Sequence, residues 1–423
     1  MPTVTESETV LLRIDRMGAG GDGIAGKQFV AGTLAGELVA VAPGSDPQRP
    51  QLVSIIEPSP HRVAPPCRFF GACGGCSLQF MDLGLIGEWK RDVLAQTLWA
   101  RSIDVPVAPT LHISAGDRRR LVLKAVKLDG NLRLGFNRRG SHEVVAIDHC
   151  LLVNARLNSL LQPLAEALDV LLPERGWAKI HVTDTPQGAD LWIDAAQDTK
   201  GLGLARVSRL VAMPQIARVN WNGQLIGEKA VPRINMGGVA VDLPPRAFLQ
   251  ASYLGEQQMV ELVRQFVGPA KSVIDLFCGV GTFSLPLART AKIAAFDSEK
   301  PAIQALERAA RHHDGLKPIS ATTRDLFRAP LTPEELAKVD AMVIDPPRAG
   351  CEAQARHLAQ SVVPSIVALS CDPGTFARDA RILIDGGYSL GHVQIVDQFV
   401  WSPHIELAAH FTRPPSGKKA RRN

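Results

Sequence analysis

In the last third of the chain, short unbroken apolar runs each close on a polar residue and give way to a segment with helical spacing. SVIDLF (272–277) leads into CGVGT, KIAAFD ends at Asp297, SATTRD at Asp325, DAMVID at Asp345, and SIVALS at Ser370, one residue before Cys371. Short apolar runs bounded by turn signals read as buried strands, and PAIQALERAARHHD between two of them reads as a helix. Strands alternating with helices over residues 266–413 predict a doubly wound α/β sheet, whose ligands bind beyond the carboxyl ends of the strands. Cys371 and the acidic residues lie at those ends.

Upstream the pattern changes twice. Residues 8–57 alternate β-branched runs with glycine turns, which predicts a small OB-like barrel over residues 1–60. Residues 61–265 mix helical spacing at 84–100 and 151–172 with strand-like runs such as RLVLKAVKL and LRLGF, separated by Asp129-Gly130, a good hairpin turn. The expectation there is an α+β domain with basic residues on its outer sheet. RAFLQASYLGEQQMVELVRQFVG (246–268) is a polar entry into a long helix before the third domain.

A chain of 423 residues with 46% hydrophobic and 21% charged residues is long enough for two or three globular domains. No apolar run approaches the roughly 20 residues that span a bilayer. MPTVTESETV lacks a secretory start, so the expected location is the cytoplasm. The net charge of +5 leans only weakly toward polyanions, but its distribution adds to the lean. Arg118, Arg119, Arg120, Lys124, Lys127, Arg133, Arg138 and Arg139 crowd one section, and residues 414–423 form a basic tail; a solvated face and an RNA surface both fit.

Seven cysteines, an odd number, argue against a disulfide framework. Cys67, Cys73 and Cys76 fall within ten residues, with Gly74 and Gly75 letting the backbone wrap, which packing seldom requires and a metal does. Cys150 is a possible fourth ligand and His149 its rival. Zinc and an iron–sulfur cluster both accept four thiolates, and this spacing matches the usual motif of neither.

DLFCGVGTFSLPLA, DPPRAG, SCDPGTFARD and SPHIELAAHF resemble, in order and spacing, the S-adenosylmethionine-dependent RNA uracil-5 methyltransferases. The glycine-rich start resembles the TRAM domain of the ribosomal members, and CRFFGACGGCSLQF followed by DHC resembles their 4Fe-4S site, so the resemblance covers nearly the whole chain. It implies a Rossmann-like methyltransferase domain over 266–413 that acts on 23S ribosomal RNA, with transfer RNA as the alternative; nothing in the sequence indicates oligomerisation, so the expected state is a monomer. It also implies roles. Cys371 is the nucleophile and Glu406 the base; Gln250, Phe277, Thr282, Asp297, Asp325 and Asp345 hold the methyl donor; Cys67, Cys73, Cys76 and Cys150 hold the cluster.

Thr282, Ser252 and Asp372 depart from the asparagines frequent in the closest ribosomal members, which bears on substrate and donor contacts rather than on the reaction. Two other readings are a non-catalytic RNA-binding protein or chaperone, which would need neither Cys371 nor Glu406, and an exocyclic amino-methyltransferase, which would need no thiol.

Overall fold

Five of the apolar runs become parallel strands of one sheet. In the computed structural model, which describes residues 9–413, they lie in the order Ile319–Thr323, Lys292–Asp297, Ser272–Leu276, Ala341–Ile344, Ser365–Ser370. Chain order reverses between Ser272–Leu276 and Ala341–Ile344, which opens a crevice at their carboxyl ends. Strand Leu407–Thr412 then inserts antiparallel between Ser365–Ser370 and Ser389–Asp397, carrying the sheet beyond a purely parallel arrangement. This insertion brings Glu406, just before Leu407, beside Cys371, just after Ser370.

Both faces are buried at the centre of the sheet, so the strands Ser272–Leu276, Ala341–Ile344 and Ser365–Ser370 read as near-continuous apolar runs, while the edge strand Ile319–Thr323 is partly exposed. On one face Val273, Ile293 and Val367 pack with Met259, Leu262 and Leu306 from the helices Tyr253–Val267 and Lys300–Arg311. On the other, Ile274, Met342 and Ile366 pack with Phe376 and Leu383 of the helix Pro373–Asp385.

Leu94 and Leu98 of the helix Leu83–Trp99, together with Ile103 and Val107, join this second core, and Leu111–His112 pairs along the sheet's outer edge. This segment, assigned by sequence to the central domain, therefore packs with the carboxyl-terminal one. Its apolar positions fit either core, and spacing alone does not choose.

The central sheet runs Val144–Ala146, Asn131–Asn137, Arg120–Leu128, Trp177–Thr185, Gly188–Ala195, Ile216–Trp221, Gln224–Glu228. The helix Ala155–Leu171 lays Leu157, Leu160, Leu161, Leu164 and Leu168 on one face of it. Asp129 and Gly130 both have positive φ (53° and 73°), as a two-residue hairpin turn of matching twist demands.

In the amino-terminal module, Val10–Arg13, Leu38–Ala42 and Gln51–Glu57 form one three-stranded sheet, and Arg16–Met17, Gly23–Ala25 and Gln28–Val30 another. Ile14, Ala25, Val30, Val39 and Val41 share one core between them. The expected barrel thus consists of two separate small sheets, because glycine turns interrupt the strands. The basic tail lies outside the described residues.

Candidate active site

Strand Ser365–Ser370 ends at the carboxyl edge, and Asp372 caps the following helix by accepting a hydrogen bond from the Thr375 N–H at 2.9 Å. Cys371 stands between the two, half-buried, at a helix N-terminus that favours negative charge. Burial raises its thiol, and the neighbouring Glu406 carboxylate raises it further; the Arg348 guanidinium opposes both through charge and a hydrogen bond. Arg348 is steered by a 3.1 Å contact with His404 Nδ1.

Glu406 is 4% exposed. Burial, then the charge of Asp345, hold its carboxyl well above the usual carboxylate range. Asp345 keeps part of its surface toward the cavity but is otherwise enclosed by protein, and that burial raises it too. Gln250, itself buried, donates from Nε2 to Asp345 Oδ2 at 3.0 Å.

A cavity of about 1140 Å³ joins these groups. Its wall includes Cys371, Glu406, Asp345, Gln250, Phe277, Asp297 and Asp325. The loop after Ser272–Leu276 forms its floor. Phe277 adopts φ 61°, a conformation uncommon for a residue with a side chain, and packs 5.6 Å from Phe327. Gly279 also has positive φ (54°), and no atom lies within 4 Å of the place a Cβ would take, so the loop leaves open space toward the cavity.

Asp297 closes the cradle by accepting from the Gly279 N–H at 2.8 Å and the Glu299 N–H at 2.8 Å. Asp325 accepts from the Phe327 N–H at 3.0 Å. Thr282 is half-buried and is not among the residues that line the cavity.

Cys67, Cys73, Cys76 and Cys150 also line this cavity. Burial raises Cys73, Cys76 and Cys150, Cys76 to about 12, and the charges of the other cysteines add to the rise. Among the described residues, no three His, Cys, Asp or Glu side chains converge as ligands of a single metal ion.

The arginine triplet has a different use from the open face that its charge suggested. Arg119 is buried, pairs with Glu256, and donates from Nε to the Gln250 carbonyl at 3.1 Å. Arg120 donates to the Leu249 carbonyl and lies 4.6 Å from the centre of the Phe248 ring. Both brace the segment that presents Gln250. Charge clustering is visible in sequence, but the buried partner Glu256 lies on a helix more than a hundred residues away.

Two features of the site, one on the cavity wall and one behind it, escaped the sequence reading. Phe327 follows Asp325 in an unremarkable loop. Gln398 lies in DQFVW, where nothing marks it, and its amide donates to Glu406 Oε2 and to Gln250 Oε1, each at 3.0 Å.

The chain matches the profile of the tRNA (uracil-5-)-methyltransferase family over residues 240–413. It is 42% identical to an uncharacterized RNA methyltransferase of Brucella suis, over 97% of this chain and 99% of that one. It is 33% identical to the 23S rRNA (uracil(1939)-C(5))-methyltransferase of Halomonas elongata, over 92% of this chain and 86% of that one. The fold matches the Pyrococcus abyssi tRNA (uracil-54, C5)-methyltransferase, solved with S-adenosyl-L-homocysteine, at TM-score 0.76 and 22% identity over 96% of this chain and 100% of that one. The profile match and the relatives in sequence place the chain in the family of S-adenosylmethionine-dependent RNA uracil-5 methyltransferases.

Proposed function

We propose that the protein methylates carbon 5 of a uridine in 23S ribosomal RNA, with Cys371 as nucleophile and Glu406 as base. The observation that carries this reading is the meeting of a strand-end thiol, a buried carboxyl of raised pKa and an open glycine cradle in one cavity. The ribosomal target rests on the 33% relative, which covers most of both chains.

S-adenosylmethionine, when bound, supplies an electrophilic methyl group. Gly279 leaves room for it, Asp297 is set to accept hydrogen bonds from a ribose, and Phe277, Asp325, Gln250 and Asp345 complete its wall. Carbon 5 of uracil is a weak nucleophile on its own. The Cys371 thiolate adds to carbon 6, forming the S–C6 bond and pushing electron density through carbon 5 onto oxygen 4. Arg348 favours the thiolate. After carbon 5 takes the methyl group, Glu406 removes its proton, the C5–C6 double bond re-forms, and the Cys371 sulfur leaves.

The target base must leave its stack to reach Cys371. Flanking RNA fits the central sheet, where Lys124 and Lys179 pair across neighbouring strands and Trp192 lies under the Arg246 guanidinium at 5.2 Å. Basic side chains interleaved with aromatic rings suit single-stranded RNA. The two small amino-terminal sheets serve as a TRAM-like module tied to that sheet by Arg139 and Asp22 at 2.9 Å.

Cys67, Cys73, Cys76 and Cys150 fit a 4Fe-4S cluster. Its thiolates bind separate irons and need not converge on one point, as zinc ligands must. With all four positions filled, its role is to hold the cysteine loop against the central domain.

Mapping of 5-methyluridine by mass spectrometry, in ribosomal and transfer RNA from cells with and without the gene, tests the substrate. Loss of one ribosomal methyl group supports the proposal. Loss from transfer RNA alone moves the target, and no change in either contradicts it.

A further inference from the structure

Gln398 directly follows the strand Ser389–Asp397 and is 7% exposed. Its Nε2 donates to Gln250 Oε1 and Glu406 Oε2, both at 3.0 Å, and its Oε1 accepts from the Ser252 N–H at 3.3 Å. Gln250 in turn donates from Nε2 to Asp345 Oδ2 at 3.0 Å. In its ionised form each acid only accepts hydrogen bonds, so for the base to work each amide turns its N–H groups toward its acid, and the two glutamines can connect in just this sense. The four side chains form one chain from Asp345 to Glu406.

The surroundings are built to keep Gln398 there. Ser252 caps the helix Tyr253–Val267 by accepting from the Gly255 N–H at 2.9 Å, which fixes the donor to Gln398 Oε1. A Cβ on Gly255 would stand 2.9 Å from Gln398 Cβ. Glycine in the first turn of a helix costs helix stability, and close approach by Gln398 accounts for it here.

We propose that Gln398 is a positioning residue: it pins one oxygen of Glu406, leaves the other for the carbon 5 proton, and ties the base through Gln250 to Asp345 on the donor side. No described residue makes a hydrogen bond to Glu406 Oε1. The inference rests on the reading of Glu406 as the base. A misplaced base delays only the last step, after the S–C6 bond has formed, so the covalent protein–RNA adduct accumulates.

The test uses full-length protein, S-adenosylmethionine and an in vitro 23S ribosomal RNA transcript. Gln398→Met keeps the side-chain length and removes the hydrogen bonds. It is expected to lower kcat about tenfold to hundredfold with kcat/KM for both substrates nearly unchanged, and to accumulate adduct on denaturing gels. The deficit shrinks as pH rises, because a carboxyl without its donor needs higher pH to ionise. Gly255→Ala, which displaces Gln398 from outside the site, is expected to accumulate adduct as well. Wild-type kcat in Gln398→Met overturns the inference, as does a pH-independent loss with raised KM and no adduct. Failure of the wild-type protein to form 5-methyluridine, or turnover by Glu406→Gln at the wild-type rate, would overturn the underlying reading instead.

Discussion

Lys90 and Asp397 meet at 2.6 Å with their side chains 0% and 1% exposed. Lys90 Nζ also donates to the Phe399 carbonyl at 3.2 Å. The pair joins the helix Leu83–Trp99 to the end of the strand that delivers Gln398, so the segment leading to Glu406 is anchored on both sides of that glutamine. Burial lowers Lys90, and the Asp397 carboxylate opposes that shift.

Removing one member of such a pair strands the other charge in the interior. Asp397→Ala is expected to cost about 3–5 kcal/mol of unfolding free energy in urea titrations. The double substitution Lys90→Met, Asp397→Leu is expected to recover most of that stability while methylation stays low, since the loop loses its anchor. Full activity in the double variant would show that the pair serves stability alone.

On the proposed roles, Cys371 and Glu406 both work deprotonated, and burial raises both. For acids whose pKa is raised, the active form is gained as pH rises. The value of kcat, which includes the last step, is expected to climb about tenfold or more per unit below neutral pH and to level off only on the alkaline side. A plateau already reached near about pH 6 would contradict the requirement that both groups be deprotonated, since even an ordinary thiol is still protonated there.

The doubly wound sheet and the residues at its strand ends were legible because buried strands carry a strong local signal: apolar runs, a glycine turn, an acid or thiol at the end. Cys371, Glu406, Gln250, Phe277, Asp297, Asp325 and Asp345 all line one cavity. What escaped depends on partners distant in sequence. Arg119 looks like surface charge until Glu256 is placed against it. Gln398 looks incidental until Leu407–Thr412 folds back beside Ser365–Ser370 and brings Glu406 within reach. Thr282 follows the glycine turn in sequence but is not among the residues that line the cavity.

The cysteine group makes a prediction independent of methylation. Protein purified without oxygen is expected to carry about four irons per chain with visible iron–thiolate absorption, against about one zinc if a single ion is held. Cys73→Ser is expected to lose the iron and weaken RNA binding while S-adenosylmethionine binding by calorimetry stays within about twofold. Unchanged RNA affinity in that variant would separate the cysteines from the RNA surface.

The central claim is that Cys371 attacks carbon 6 of the target uridine. The most direct measurement incubates wild-type and Cys371→Ala protein with S-adenosylmethionine and a 23S ribosomal RNA transcript, and follows 5-methyluridine by nucleoside mass spectrometry and the adduct by denaturing gel. The account predicts 5-methyluridine with the wild-type protein, and neither methylation nor adduct with Cys371→Ala, which still binds S-adenosylmethionine. Methylation of carbon 5 by Cys371→Ala would contradict it.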